Sequence, residues 1–454
     1  MPERYLYRLR VARGLATAIL AGPWRPDDLA ARLSTALNLR RQPKWLLRWA
    51  SRIIACFGQE PPPPPQFRLV KFIMTDRAFE KVFGIRFQSA RSRSLNFQDL
   101  PRPPMAPALG IRLSGEIPVL TTTGELARWL EISAGELDWF ADCFGRERQH
   151  ADGPLRHYRY RWIPKSSGRK RLVEVPKPRL KDIQRRILNE ILAKVVPHES
   201  AHAFRAGHST VSCAASHVGQ RVVLRIDLRE FFPSIRSSRV QSLFHTLGYP
   251  EGVARLLTGL CTNSVPADVI AESFSGEAPQ ATRNPFEVPH LPQGAPTSPA
   301  LANLCSFRLD CRLAGLASRL GINFTRYADD LVFSGDRAFE RSLARFRVFV
   351  CAIVLNEGFA IRRRKTRVMR SGSRQEVTGI VVNRRLNVPR AEFDRLKAIL
   401  HHCVTSGPQE QNREGVENFR EHLRGRIAYV QMLNPTRGKR LLALLERIEW
   451  TKWK

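Results

Sequence analysis

Phe324-Thr325-Arg326-Tyr327-Ala328-Asp329-Asp330-Leu331-Val332-Phe333 is the stretch on which the reading of this chain turns. Two adjacent carboxylates interrupt two short runs of strand-forming residues, the pattern of a tight hairpin with acids at its tip. Aspartate is common in turns for conformational reasons alone, so the pair acquires chemical meaning only beside another acid. Val222-Val223-Leu224-Arg225-Ile226-Asp227-Leu228, upstream, supplies one. The apolar run predicts a strand buried on at least one face, with Asp227 near its end. A carboxylate there needs a partner, because burying an unpaired charge is costly. Divalent metal shared with Asp329 would serve.

Nucleotidyl transfer uses such an arrangement. Two Mg²⁺ ions roughly 3.5–4 Å apart activate the attacking hydroxyl and steady the leaving pyrophosphate. Mg²⁺ takes oxygen ligands and only a few carboxylates. Asp227, Asp329 and Asp330 are therefore the candidate catalytic and metal-holding residues, divided between a strand end and a hairpin tip.

On these residues the chain, over roughly 155–435, resembles reverse transcriptases. Tyr327-Ala328-Asp329-Asp330 is similar to the palm hairpin of that family, and Asp227 matches its first metal-binding aspartate. The resemblance implies the Leu228 backbone carbonyl as a further metal ligand. It implies Phe232 as the aromatic floor of the sugar pocket, whose ring would clash with a 2′-hydroxyl. Leu291-Pro292-Gln293-Gly294-Ala295-Pro296-Thr297-Ser298-Pro299 resembles the loop whose Gln and Gly, here Gln293 and Gly294, contact the incoming nucleotide and template. As bare chemistry the segment is a shaped turn, with Ser298 placed to cap a helix starting near Pro299. Tyr158–Ile163, Ser166–Gly168 and Arg171–Val175 read as strand, turn and strand, with Lys165, Arg169, Lys170 and Arg171 around the turn. By resemblance Lys165 and Arg171 hold the triphosphate; a basic hairpin could equally grip template phosphates.

Three segments resemble bacterial retron reverse transcriptases in particular. Val196–Ser209 is similar to the stretch joining fingers to palm. Cys213-Ala214-Ala215-Ser216-His217 matches an Asn-Ala-x-x-His element except that Cys213 stands in the place of the asparagine. That leaves open what replaces the amide's hydrogen bonds. His217 is a candidate for positioning RNA, with a satisfied structural histidine as the alternative. Val377-Thr378-Gly379 matches the element before the thumb that recognises structured RNA. The resemblance implies a reaction primed by the 2′-hydroxyl of an internal guanosine in a cognate noncoding RNA. Copying part of that RNA from deoxynucleotides leaves a branched RNA–DNA molecule (msDNA). It also implies Mg²⁺ as cofactor, and an antiphage system with an effector protein. Two rivals are a group II intron-like reverse transcriptase, disfavoured by the lack of an HNH-like Cys/His cluster, and a non-catalytic polymerase-like RNA-binding scaffold.

Composition points the same way. Over 454 residues, 74 Lys and Arg face 41 Asp and Glu, a formal charge of +33, which predicts salt-dependent binding of polyanions. Arg362-Arg363-Arg364-Lys365 and Arg367 are expected to line a duplex channel. The eight cysteines form no Cys-x-x-Cys pair; Cys305, Cys311 and Cys351 read as reduced core residues. No segment is long and apolar enough for a membrane. Val11–Gly22 is too short and too interrupted, by Arg13, for a signal peptide. A cytoplasmic enzyme is expected.

The fold expected is α+β: a right-hand polymerase with a mainly helical N-terminal extension. Residues 1–110 form that extension, with proline-rich linkers at Pro61–Pro65 and Pro101–Pro107, a helix at Trp45–Phe57, and Phe67–Phe87 ambiguous. Residues 111–154 form a small helical unit, with Thr123 a candidate cap and Ser133 with Glu136 a capping box. Fingers occupy 155–210, where Ile183, Ile187, Ile191 and Val195 stripe one long helix. The palm spans 211–385 with interleaved fingers elements, interrupted by a loop at Ser273–Pro289. An RNA-binding helical thumb spans 386–454, with Phe393, Leu396, Ile399 and Leu400 inward.

Overall fold

A computed structural model describes residues 2–20, 23–37, 39, 41–58, 67–80, 105, 107–108, 111–149, 153, 156–164, 170–272 and 285–450. Pro61–Pro65, most of Pro101–Pro107, Lys165 with the Ser166–Gly168 turn, and most of Ser273–Pro289 lie outside the described residues. The chain divides into two compact units. One comprises Met1–Val195, Arg236–Thr282 and Glu287–Pro289; the other comprises Val196–Ile235, Arg283–Phe286 and His290–Lys454.

The first unit begins with helices α1 (Pro2–Leu20), α2 (Pro26–Ala36), α3 (Lys44–Phe57) and α4 (Phe67–Thr75). Their spaced apolar residues, among them Leu15, Ile19, Leu33, Trp49, Ile53 and Ile73, meet in one buried cluster with Phe79. The described part of the mildly hydrophobic Val11–Gly22 stretch, residues 11–20, thus contributes the inner face of α1, and Phe67 starts a helix. Arg32, buried in this core, donates to the carbonyls of Ala18 (3.0 Å), Ile19 (2.9 Å) and Pro23 (2.8 Å). These are carbonyls around the end of α1, of the kind a helix C-terminus leaves unpaired.

Further on, Thr122 rather than Thr123 caps the helix Thr123–Trp129, in a capping box with Glu125. Ser133 and Glu136 form the second box. Strands β1 (Tyr158–Pro164) and β2 (Lys170–Pro176) pair antiparallel. The helix after them, Pro178–Glu190, ends before the expected stripe does: Ile183 and Ile187 are buried within it, Ile191 and Val195 beyond it. Helix Glu251–Cys261 crosses Ala134–Ala141 so closely that a Cβ at Gly259 would stand 2.1 Å from the Ala141 carbonyl oxygen, so only glycine fits there.

The second unit is built on an antiparallel sheet of order β4-β5-β3-β6, from β3 (Val222–Asp227), β4 (Asn323–Tyr327), β5 (Asp330–Gly335) and β6 (Arg367–Arg370). β3 is central and almost wholly buried, as its continuous apolar run requires. A short hairpin, β7 (Glu376–Val377) and β8 (Ile380–Val381), turns through Thr378 and Gly379, both at positive φ. That is the backbone a two-residue hairpin turn favours. Helices Arg390–Thr405, Phe419–Leu433 and Pro435–Glu446 share one core with the sheet, through Val223, Val332, Val377, Leu396, Leu400, Ile427 and Leu441. Of the cysteines read as core, Cys311 is exposed and Cys305 and Cys351 are half-buried; Cys213, Cys261 and Cys403 are the buried ones. Cys311 lies on the outer side of an amphipathic helix, where its neighbours' apolar character misleads. Among the described residues no helix is long and apolar enough to cross a membrane.

Candidate active site

β4 and β5 are joined by Ala328 and Asp329 alone, with Tyr327 paired to Asp330. Ala328 has φ +54°, a conformation that costs an L-residue roughly 1–2 kcal/mol and that the neighbouring structure must hold. Arg326 does so. Its Nη1 donates to the Ala328 carbonyl at 3.2 Å, while Nε and Nη2 grip Asp310 at 2.7 Å each. Both side chains of this pair are fully buried. Arg326 also donates to Asn303 Oδ1 (3.2 Å) and lies over the Phe231 ring, 5.7 Å from its centroid. Its backbone bonds Ser200 and His202 on the neighbouring segment.

β3 runs antiparallel to β5 with Asp227 directly opposite Asp330. Side chains so paired lie on one face with Cβ atoms about 4.5–5.5 Å apart, and like charges there repel. Arg225, two residues before Asp227 and so on the same face, relieves this. Its Nε and Nη2 reach Asp330 Oδ1 and Oδ2 at 3.0 and 2.6 Å. Asp227 is buried; Lys365 Nζ lies 2.9 Å from its Oδ2 and Arg362 Nε 3.6 Å from its Oδ1. Oδ1 has no hydrogen-bond partner, which suits a carboxylate built to receive a further cation. Asp329 sits at the tip, its backbone carbonyl accepting from Leu228 N at 2.8 Å. Burial, then the charges of Asp330 and Asp227, raise the Asp329 carboxyl above the usual carboxylate range. Burial raises Asp330 as well, against the pull of Arg225.

The three acids therefore share one end of the sheet in mutual repulsion. Among the described residues no group of three or more His, Cys, Asp or Glu side chains is set to hold a metal ion. Hard cations of the Mg²⁺ type need none, taking one or two carboxylates plus substrate phosphates.

Phe232 is half-buried in the short helix Phe231–Ser234. Gln293 is half-buried and Gly294, at φ +138°, is exposed in the loop before helix Ser298–Cys305. Ser298 does not cap that helix: it is the first helical residue, and its Oγ donates to the Pro292 carbonyl at 2.7 Å, stapling the loop. Arg171 is exposed on β2 of the first unit, and Lys165 lies outside the described residues.

Two RNA-facing expectations are corrected. His217 is fully buried, its Nδ1 2.6 Å from Ser334 Oγ and its Nε2 2.7 Å from Thr325 Oγ1. Burial pushes its pKa down to about 3. With both nitrogens used inside the core, it braces β4 against β5 and has no face for RNA. Cys213 joins the same network, its Sγ 3.2 Å from Thr325 Oγ1, and so occupies the place of the amide. Val377 is likewise fully buried in the core, leaving Thr378 and Gly379 as the accessible part of that element. The Thr378 hydroxyl bonds the Thr210 carbonyl at 3.1 Å.

Several functional side chains escaped the sequence reading. Arg362 and Lys365, read as duplex-channel residues, turn to Asp227. Arg225, the one charge inside an apolar strand before Asp227, signalled its need for a partner. So did Asp310, which lies between Leu309 and Leu313 on the buried face of helix Phe307–Arg319.

Residues 163–393 match the family model described as reverse transcriptase (RNA-dependent DNA polymerase). The chain is 43% identical over 352 residues to the retron Mx65 reverse transcriptase of Myxococcus xanthus, covering 77% of this chain and 76% of that protein. It is 38% identical over 346 residues to the retron Mx162 reverse transcriptase of the same organism, with 73% and 68% covered. It is 30% identical over 295 residues to the retron Ec86 reverse transcriptase of Escherichia coli, with 64% and 81% covered.

Proposed function

The chain belongs to the bacterial retron reverse transcriptases, RNA-directed DNA polymerases with a right-hand fold, and from that premise we propose that it makes msDNA. It extends the 2′-hydroxyl of an internal guanosine of its cognate noncoding RNA and copies part of that RNA from deoxynucleotides. The observation that carries the polymerase reading is the meeting of Asp227, Asp329 and Asp330 at one end of the sheet, held there against their own repulsion; the 2′-hydroxyl priming rests on family membership. A scaffold would have no use for that cost.

Reverse transcriptases work with divalent metal, and Mg²⁺ is the ion proposed here, since the donors are all oxygen. Asp227 and Asp329 would hold it, joined by the Leu228 carbonyl and by Asp330. Bound there, it supplies charge stabilisation to the attacking and leaving oxygens. The chain's own residues do the rest. Arg225 orients Asp330, and Lys365 and Arg362 pair with the Asp227 carboxylate. Arg326 fixes the turn that presents Asp329. Phe232 excludes a 2′-hydroxyl from the sugar pocket, Gln293 and Gly294 border the nucleotide, and Lys165 and Arg171 take its triphosphate.

Thr378, Gly379 and the helices after them recognise the partner RNA by shape and by contacts to unpaired bases and 2′-hydroxyls, while bulk charge gives salt-dependent affinity. The domain limits are proposed as 1–110 extension, 111–154 helical unit, 155–210 fingers, 211–385 palm and 386–454 thumb. The reaction is placed in the cytoplasm, in an antiphage system with an effector protein; this rests on family membership.

Sequencing the nucleic acid that co-purifies with the chain tests the proposal. A branched RNA–DNA species with a 2′-linked guanosine is expected. Linear cDNA alone, or RNA with no DNA from a preparation that also fails to extend an annealed primer, would refute it. Phe232→Ala is expected to raise ribonucleotide relative to deoxynucleotide incorporation; lower stability at unchanged sugar selectivity would make Phe232 a packing residue.

A further inference from the structure

Phe204 combines two unfavourable features. Its φ is +56°, in the left-handed region that costs a bulky L-residue roughly 1–2 kcal/mol and that glycine enters freely. Its side chain is also 49% exposed, so burial of the ring offsets little of that strain. The chain is nevertheless held in this conformation. Ala203, immediately before it, is buried, and its carbonyl accepts from Asn303 Nδ2 at 2.7 Å. Arg205, immediately after, donates from Nη1 to the His198 carbonyl at 3.4 Å. Strained residues kept by their surroundings concentrate at sites of function.

The ring lies beside Phe232, with centroids 6.1 Å apart and planes at 53°. Phe232 in turn meets Phe231 edge-on at 5.7 Å, and Phe231 meets Phe359 at 5.8 Å. Phe359 and Phe231 are buried, Phe232 is half-buried and Phe204 is exposed. The four rings form a row from the core to the surface, anchored by Arg326 over Phe231. Phe232 therefore has a ring on either side of it in this row. Removing Phe204 removes the ring contact on the exposed side of this row, at 6.1 Å between centroids.

We propose that Phe204 is a specificity-determining residue: its ring fixes that of Phe232, so that the two together distinguish deoxyribose from ribose in the incoming nucleotide. Phe204 is a positioning residue, acting through Phe232, and the proposal rests on the reading of Phe232 as the sugar gate. The strain at residue 204 is what places a ring where an unstrained glycine would place none.

The test is the ratio of kcat/KM for a deoxynucleotide to that for the matching ribonucleotide, measured with the full chain on an annealed primer-template. Wild type is compared with Phe204→Ala, Phe204→Gly, Phe204→Tyr and Phe232→Ala, with thermal unfolding of each. Phe204→Ala and Phe204→Gly are expected to lower the ratio about three- to tenfold, the range of one aromatic pair contact, and Phe204→Tyr to restore it. Phe204→Gly is expected to unfold no earlier than wild type, since it removes strain. If Phe232→Ala lowers the ratio while all three Phe204 variants keep the wild-type value, the proposal falls and the gate stands. If neither Phe232→Ala nor Phe204→Ala changes it, the gate reading falls and takes the proposal with it.

Discussion

The bundle of α1–α4 and the sheet carrying the acids solve opposite problems. In the bundle the core is apolar, and its buried charge, Arg32, serves backbone carbonyls. The packing there favours the fold, with the buried Trp49 Nε1 left without a hydrogen-bond partner. In the sheet, Asp227 faces Asp330 across two strands, Asp329 is raised by burial beside them, and Arg225, Lys365 and Arg362 pair with the acids while Arg326 holds the turn. A sheet selected for stability alone would not place like charges opposite each other. The contrast teaches where substitution should harm folding and where it should harm chemistry.

Its sharpest break is Asp329→Asn. DNA synthesis in Mg²⁺ is expected to fall by on the order of a thousandfold or more, the loss of several kcal/mol of transition-state stabilisation. The melting temperature should hold or rise, because the folded state raises this carboxyl's pKa and ionising it therefore works against the fold. Primer extension and thermal unfolding on the same preparation decide it; a fall in stability matching the lost activity would make the acid structural.

Arg326→Met comes next. It leaves Asp310 buried and unpaired, which costs about 3–5 kcal/mol, and it frees the Ala328 turn, so stability and synthesis should fall together. Asp310→Leu added to it should recover stability without recovering synthesis. Chemical denaturation with primer extension separates the two effects, and a double mutant that regains full activity would remove Arg326 from the support of the turn.

Trp49→Ala tests the other side. Truncating this fully buried ring should cost about 3–5 kcal/mol in the bundle while extension of a generic primer keeps its rate. Hydrogen exchange should show the loss in residues 11–79; an equal loss of synthesis would show that the bundle serves the chemistry.

The smallest effect concerns Glu147, whose carboxyl burial pushes up to about 7 although the backbone N–H groups of His157 and Tyr158 donate to it. A folded-state value above the unfolded one means that proton binding favours the fold. Its contribution is complete below about pH 4.5 and is lost as pH rises towards 7, at most about 3 kcal/mol. Unfolding of the first unit should weaken across that window, and Glu147→Gln should flatten the profile. An unchanged slope in the variant would assign the pH dependence to other groups.

Much of this contrast was legible beforehand. The hairpin and the strand ending in Asp227 follow from short apolar runs and turn chemistry, and the structure places both there. The capping box at Ser133 was equally readable, because all its partners lie within four residues. His217 was not, since its partners Thr325 and Ser334 are more than a hundred residues away. Local pattern carries no information about which strand a histidine will face.

The sequence by itself determined the acid-bearing hairpin and strand, the Ser133 capping box, the identity of the acids and the family, because backbone preference, hydrophobic pattern and motif spacing act over short range. Only the tertiary structure decided which cation answers which carboxylate: Arg225 to Asp330, Lys365 to Asp227, Arg326 to Asp310. It also decided that Val377 and His217 are core, and that Phe204 stands strained beside Phe232. The physical reason is range. Burial and Coulomb energies depend on distance in space, and chain closure sets those distances between residues that have no neighbourhood in sequence.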